Sequence, residues 1–225
     1  MLLSMRSLIF DLDGTLVDTV YGHVFAWQRV LGEAGMHIDG WKIHRMIGMS
    51  GGLLVKAVAS EIGRELAPDQ VEALQKRHGI VYKDLLPERR ALPGAIELLS
   101  YLHDTHIKYG IATSGRREDI AGSLKALHVT DDVIVVDRSD VERAKPEPDL
   151  FLACQQRLKV PPEECYVIGD SVWDLLAARR AGMLGVGLLS GGYGQEELAQ
   201  AGAYRVYRDT AELLASIYQL GLRAS

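Results

Sequence analysis

Ser7-Leu8-Ile9-Phe10-Asp11-Leu12-Asp13-Gly14-Thr15 sets a short apolar run directly against two carboxylates. The run reads as a buried strand, and it leaves Asp11 and Asp13 just past its end, where open α/β sheets carry out chemistry. Carboxylates at i and i+2 of an extended backbone point to the same side. They repel each other unless a cation or a shared proton compensates. Gly14 permits a sharp turn, and Thr15 can hydrogen-bond that turn. Taken alone, residues 11–15 also read as an ordinary Asp-Gly turn after a strand, so the downstream sequence decides between the two.

Outward from this stretch, short aliphatic runs at 109–112, 133–136, 166–168, 184–187 and 204–207 alternate with helical patterns near 95–104, 118–127, 149–157, 172–181 and 211–220. That rhythm predicts an α/β fold, a parallel sheet covered by helices. Residues 20–86 break it, with several amphipathic helical patterns and no convincing strand. They read as a helical insertion, hinged at Asp18-Thr19 and Leu86-Pro87, and Pro93-Gly94 resets the chain before the next core helix. The sequence has no internal repeat and no low-complexity segment.

At 225 residues and 48% hydrophobic, the chain can build one sizeable α/β domain or a core with a small accessory domain. The net charge of -5 and the scattered lysines and arginines give no footprint for nucleic acid or an anionic membrane, so small molecules are the expected partners. Cys154 and Cys165 lie in apolar stretches without metal-ligand spacing and read as buried, reduced thiols of a cytoplasmic protein. Residues 1–10 lack the cationic start and long apolar core of a secretory leader, and no window approaches a membrane span.

Three more polar groups follow predicted strands. Thr113-Ser114-Gly115 offers a hydroxyl and turn amides to an anion. Lys145 stands in Ala144-Lys145-Pro146-Glu147-Pro148-Asp149, a lone cation in a backbone stiffened by two prolines. Gly169-Asp170-Ser171-Val172-Trp173-Asp174 holds two carboxylates one helical turn apart on the same face. Singly, these also read as a strand-to-helix turn, a surface lysine and a helix cap.

Together, in order and spacing, the four segments resemble the motifs of the haloacid dehalogenase superfamily: Asp-x-Asp-Gly-Thr, a Ser/Thr after a strand, a Lys, and Gly-Asp-x-x-x-Asp. The resemblance spans nearly the whole chain and is closest to the phosphoglycolate phosphatase and beta-phosphoglucomutase branch. It implies a Rossmann-like catalytic core at 1–18 and 87–225, with a helical cap at 19–86. It also implies Asp11 as nucleophile and Asp13 as general acid/base. Thr113 and Lys145 would bind phosphoryl oxygens, assisted by Ser114 and Gly115. Mg²⁺ would be held by Asp11, Asp170 and the main-chain carbonyl of Asp13, with Asp174 supporting it from behind. Such an enzyme hydrolyses a small phosphorylated metabolite through an aspartyl-phosphate, as a monomer or dimer.

The same resemblance separates chemistries. The haloacid dehalogenases lack the second Asp, so Asp13 argues for phosphoryl transfer. The phosphonatases use a cap lysine, and residues 46–52 contain none. The segment from Asp18 to Trp27 resembles the start of the beta-phosphoglucomutase cap, where a histidine at the place of His23 assists proton transfer; His23 reads equally as a helix-packing neighbour of Phe25 and Trp27. Gly51 and His78 stand where that branch has cap cations, which favours hydrolysis over a mutase. A non-catalytic phosphometabolite-binding regulator is a third reading, although every expected catalytic position is filled. Arg45, Lys56, His78 and Tyr21 are candidates to face the site from the cap.

Overall fold

Strand β1 (Ser7–Phe10) sends Leu8 and Phe10 into one hydrophobic core and Ile9 into another, because successive side chains of a strand face opposite sides. A strand apolar at every position therefore needs helices on both faces. The computed structural model describes residues 7–222 and has that architecture. After β1 come four helices, α1 (Val20–Glu33), α2 (Gly40–His44), α3 (Gly51–Glu61) and α4 (Pro68–Leu85). The chain then alternates: α5 (Ala95–Asp104), β2 (Tyr109–Ala112), α6 (Arg117–Ala126), β3 (Ile134–Val136), α7 (Asp149–Leu158), β4 (Cys165–Gly169) and α8 (Val172–Arg180). It closes with β5 (Leu184–Leu188), α9 (Gln195–Gln200), β6 (Ala203–Tyr207) and α10 (Thr210–Ala215).

All strand pairs are parallel, in the order β3-β2-β1-β4-β5-β6. The order reverses between β1 and β4, so their carboxyl ends border the crevice where such sheets bind ligands. Phe10 pairs with Ile111 on one side and Ile168 on the other, which aligns the residues just beyond all three strands.

One face of the sheet is covered by α5, whose buried Ala95, Leu98, Leu99 and Leu102 recur at helical spacing against Leu8, Phe10, Ile111 and Ile168. On the other face, Leu150, Phe151, Cys154 and Leu158 of α7 join Ala177 and Ala178 of α8 around Ile9, Ala112 and Val167. Both cysteines are buried and unbridged, and burial pushes the Cys154 thiol up to about 12. Helices α1–α4 surround apolar clusters of their own, built on Val24, Trp27, Leu31, Leu54 and Val58 and on Ala26, Val30, Val81 and Tyr82. Residues 1–6 and 223–225 of the expected core lie outside the described residues.

Two local differences from the sequence reading have simple causes. The helix expected over 211–220 stops at Ala215, and a 3₁₀ turn (Ile217–Leu220) follows; side chains three apart eclipse in that tighter helix, so Ile217 and Leu220 both stay buried. Helix α9 was not anticipated, since only Leu198 within it is buried and one apolar residue makes no period.

Leu98 is completely buried at the centre of the first core. Leu98→Ala should cost about 2–5 kcal/mol, read as a lower denaturation midpoint at unchanged m-value; an unaltered midpoint would mean that this helix does not carry the sheet.

Candidate active site

The sheet brings the four sequence segments to one place. Asp11 follows β1, Thr113 follows β2, Asp170 follows β4, and Lys145 arrives from the connection after β3. Asp11 continues the ladder, its backbone N–H donating to the Ile168 carbonyl at 2.9 Å. Oxygens of Asp11, Asp170 and Asp174 lie within 4.8 Å of one another, all three residues buried.

Lys145, itself 1% exposed, is the cation among them. Its Nζ donates to Asp174 Oδ1 at 2.8 Å and sits 2.6 Å from Asp11 Oδ1. The second contact is an ion pair outside hydrogen-bond angles, and Asp11 Oδ1 has no hydrogen-bond partner. Asp174 is held by Ser171, whose Oγ and backbone N–H donate to Oδ2 at 2.6 and 3.1 Å. The helix-cap reading of this segment and its place in the site therefore hold together: Ser171 and Asp174 form the capping box of α8, and the free oxygen of Asp174 grips Lys145.

Three carboxylates against one ammonium leave the cluster with excess negative charge. Burial pushes the Asp11 carboxyl up to about 7; Lys145 opposes the shift, while Asp174 and Asp13 add to it. Asp170 is raised well above the usual carboxylate range, first by burial and then by Asp174 and Asp11. Burial works against the charge on Lys145, but Asp11 and Asp174 outweigh it and lift its pKa above that of an ordinary lysine. A buried, all-oxygen donor set with excess negative charge suits a hard divalent cation such as Mg²⁺.

Thr15 corrects the sequence reading. Its Oγ1 donates not to the local turn but to Asp170 Oδ1, 2.7 Å away and 155 residues along the chain. Gly14, at φ +82, approaches the same carboxylate so closely that a Cβ there would stand 2.5 Å from Asp170 Oδ2. Thr113 Oγ1 accepts the Gly115 N–H at 3.0 Å, which leaves its own O–H available to a ligand.

Asp13 faces the helical insertion. Thr19 Oγ1 donates to its Oδ1 at 2.6 Å, and His23 Nε2 lies 3.4 Å from the same oxygen. Burial alone would raise Asp13; His23 and Thr19 outweigh it and hold the carboxyl below its ordinary value. His23 in turn meets His78, Nδ1 to Nε2 at 3.3 Å, within a row of rings in which Tyr82 stacks on His23 at 3.9 Å and Trp27 on His78 at 4.0 Å. Burial, then His23, pushes His78 well below the ordinary histidine value. These rings, Asp11, Asp13, Lys145 and Thr113-Ser114-Gly115 line a cavity of about 480 Å³ between insertion and sheet. Of the expected insertion residues His23 and His78 line it, whereas Lys56 is exposed, Tyr21 stacks on His44, and Arg45 pairs with Glu197 at 3.0 Å. Thr15 stood in the first motif and Thr19 at a hinge without these roles, and Tyr82 and His44 had no motif to mark them.

A family model described as haloacid dehalogenase-like hydrolase matches residues 8–187. The chain belongs to the haloacid dehalogenase-like hydrolases. Among its relatives, a beta-phosphoglucomutase of Bacillus subtilis is 32% identical, covering 93% of this chain and 92% of its own length. A phosphoglycolate phosphatase of Rhodospirillum rubrum is also 32% identical, over 92% of this chain and 89% of the relative. A solved hydrolase from Pseudomonas syringae superposes with a TM-score of 0.92 at 47% identity, covering 95% of this chain and 98% of that one. No helix among the described residues of this hydrolase is long and apolar enough to cross a membrane.

The crowding has a measurable consequence. Because the folded pKa of Asp170 lies above the unfolded value near ~4, the folded state loses stability as pH rises through that interval and the group ionises. Asp170→Asn keeps an acceptor for Thr15 and has no proton to lose. Without metal it should match the parent near pH 4 and exceed it by about 1 kcal/mol at pH 8; thermal melts across this range check it, and equal melts throughout would contradict the repulsion.

Proposed function

We propose that the chain is a magnesium-dependent phosphatase of small phosphorylated metabolites, working through an aspartyl-phosphate on Asp11. Membership of the haloacid dehalogenase-like hydrolases, with phosphatases among its relatives, makes it a phosphoric monoester hydrolase. The finer reading rests on one observation: Asp11 and Asp13 line the cavity together, Asp11 paired with Lys145 and Asp13 with Thr19 and His23.

In this reading an Asp11 carboxylate oxygen attacks the phosphorus as the bond to the leaving oxygen breaks, and Asp13 gives that oxygen its proton. The incoming phosphate dianion favours protonated Asp13 by like-charge repulsion, which the donating step needs. The Lys145 ammonium and the Thr113 hydroxyl hold phosphoryl oxygens, relieving the repulsion between carboxylate and phosphate. Water then attacks the phosphorus of the aspartyl-phosphate, Asp13 takes its proton, and Asp11 is restored as phosphate leaves. Mg²⁺, held by Asp11, Asp170 and the Asp13 carbonyl, would supply Lewis-acid neutralisation of the phosphoryl charge. Asp174 would act on Lys145, whose ammonium it orients. The helical insertion, residues 19–86, would serve as a cap that keeps bulk water and polymers from Asp11.

The insertion also bears on hydrolysis against mutase chemistry. All lysines and arginines lining the cavity come from the core: Arg116, Arg117, Arg138 and Lys145. A side chain on Gly51 would meet Trp27 Cζ2 at 2.9 Å, so the indole occupies the space a cation would need. His78, desolvated and stacked on that indole, is held in its neutral form. The cap thus offers no cation to a second phosphate while a bisphosphorylated intermediate turns around.

Asp11→Asn should lower turnover of a generic aryl phosphate with Mg²⁺ by about 10³-fold or more, with the circular dichroism spectrum unchanged; turnover near the parent level would end the aspartyl-phosphate reading. Chelator should abolish activity and excess Ca²⁺ should inhibit, since Ca²⁺ takes more ligands in looser geometry than Mg²⁺. Given glucose 1-phosphate and a bisphosphate primer, the enzyme should release inorganic phosphate; efficient isomerisation with little free phosphate would establish the mutase instead.

A further inference from the structure

Where the insertion touches the core behind the cavity, one contact reaches the carboxylate cluster through two residues of backbone. His44, the last residue of α2 and 8% exposed, places Nε2 at 2.8 Å from the Gly191 carbonyl. A carbonyl only accepts, so Nε2 carries the proton and donates. The ring lies between Tyr21, stacked at 5.5 Å, and Tyr193, tilted at 5.6 Å, which fixes its direction.

Gly191 belongs to the 3₁₀ turn Leu189–Gly191 that follows β5. This turn is wedged between His44 and Asp170. A Cβ on Gly191 would collide with the Asp170 carboxylate, and one on Gly192, at φ +91, would stand 2.9 Å from His44 Nε2. Bare backbone therefore fills the gap between the two side chains. The turn is pinned a second time at its middle residue, Ser190, whose Oγ donates to the Gly14 carbonyl at 2.6 Å. Gly14 approaches the same Asp170 oxygen, Oδ2, as Gly191 does. Asp170 is thus confined by Gly14 and Gly191, with Thr15 on its Oδ1, and the Gly191 wall is held from the insertion.

We propose that His44 is a positioning residue for Asp170: by holding the Leu189–Gly191 turn against that carboxylate, it makes the seating of the insertion a condition for tight metal binding. The proposal rests on the reading of Asp170 as a metal-holding residue. Other contacts seat the same segment without touching the turn, namely Trp173 Nε1 and Tyr193 Oη donating to the Arg45 carbonyl at 2.9 and 3.0 Å. They supply the control.

The test is titration of the full-length protein with Mn²⁺, an oxygen-seeking stand-in for Mg²⁺, with free ion measured by electron paramagnetic resonance and no substrate present. His44→Phe keeps a ring between the two tyrosines and removes the donor, and should weaken Mn²⁺ binding about tenfold. His44→Gln, which restores an amide donor, should recover most of that loss. Ser190→Ala frees the turn from Gly14 without disturbing the insertion, and should weaken binding in the same direction even if His44→Phe fails to fold. Tyr193→Phe, in which Trp173 still holds the Arg45 carbonyl and so seats the segment, should bind as the parent does. Parental affinity in a folded His44→Phe would overturn the proposal, as would parental affinity in Ser190→Ala where His44→Phe does not fold, or an equal loss in Tyr193→Phe. Asp170→Asn separates the two readings: if it binds Mn²⁺ like the parent, the metal assignment fails; if it loses the ion while His44→Phe keeps it, only the positioning role fails.

Discussion

Three carboxylates, Asp11, Asp170 and Asp174, are buried around a single ammonium, that of Lys145. Unneutralised charge in a desolvated site is among the most costly arrangements a fold can contain. Here the cost is met locally by hydrogen bonds that saturate particular oxygens, from Thr15 on Asp170, from Ser171 and Lys145 on Asp174. Asp11 Oδ1 receives charge contact but no hydrogen bond, and it belongs to the residue that begins the chemistry in the proposed mechanism. The remaining negative charge suits the proposed divalent cation, whose binding would release protons from the cluster.

The rest of the molecule follows from keeping that cluster in place. Parallel pairing of β1 with both β2 and β4 aligns Asp11, Thr113 and Asp170 at the crevice where strand order reverses. Apolar helices on both faces make the sheet rigid, so Asp11, Thr113 and Asp170 project directly from strand ends. The insertion then covers the crevice, supplying the neutral, aromatic side of the cavity while the core supplies its cations. In the proposed reaction this division of labour would give the phosphoryl group a charged cradle and the leaving group a wall of Tyr82, His23, His78 and Trp27.

Much of this was legible in the chain. Strand positions could be read because residues buried on both faces of a parallel sheet form continuous apolar runs, and the four polar segments could be read because each directly follows such a run or its connection. The partners of those segments could not. Thr15 looked like a turn residue and bonds instead across the sheet to Asp170; Arg45 and Tyr21 looked like candidates to face the site and serve the contact between insertion and core. A hydroxyl or a guanidinium has the same local signature in either setting.

The sequence by itself determined the α/β class, the position of the helical insertion, and which acidic and hydroxyl groups stand at strand ends, because periodicity and local chain order carry that information. Tertiary structure alone decided that Asp174 grips Lys145, that Trp27 fills the space beside Gly51, and that His44 reaches the turn against Asp170. Those contacts join residues far apart in the chain. They depend on strand order and on the seating of the insertion, which no short stretch of sequence specifies.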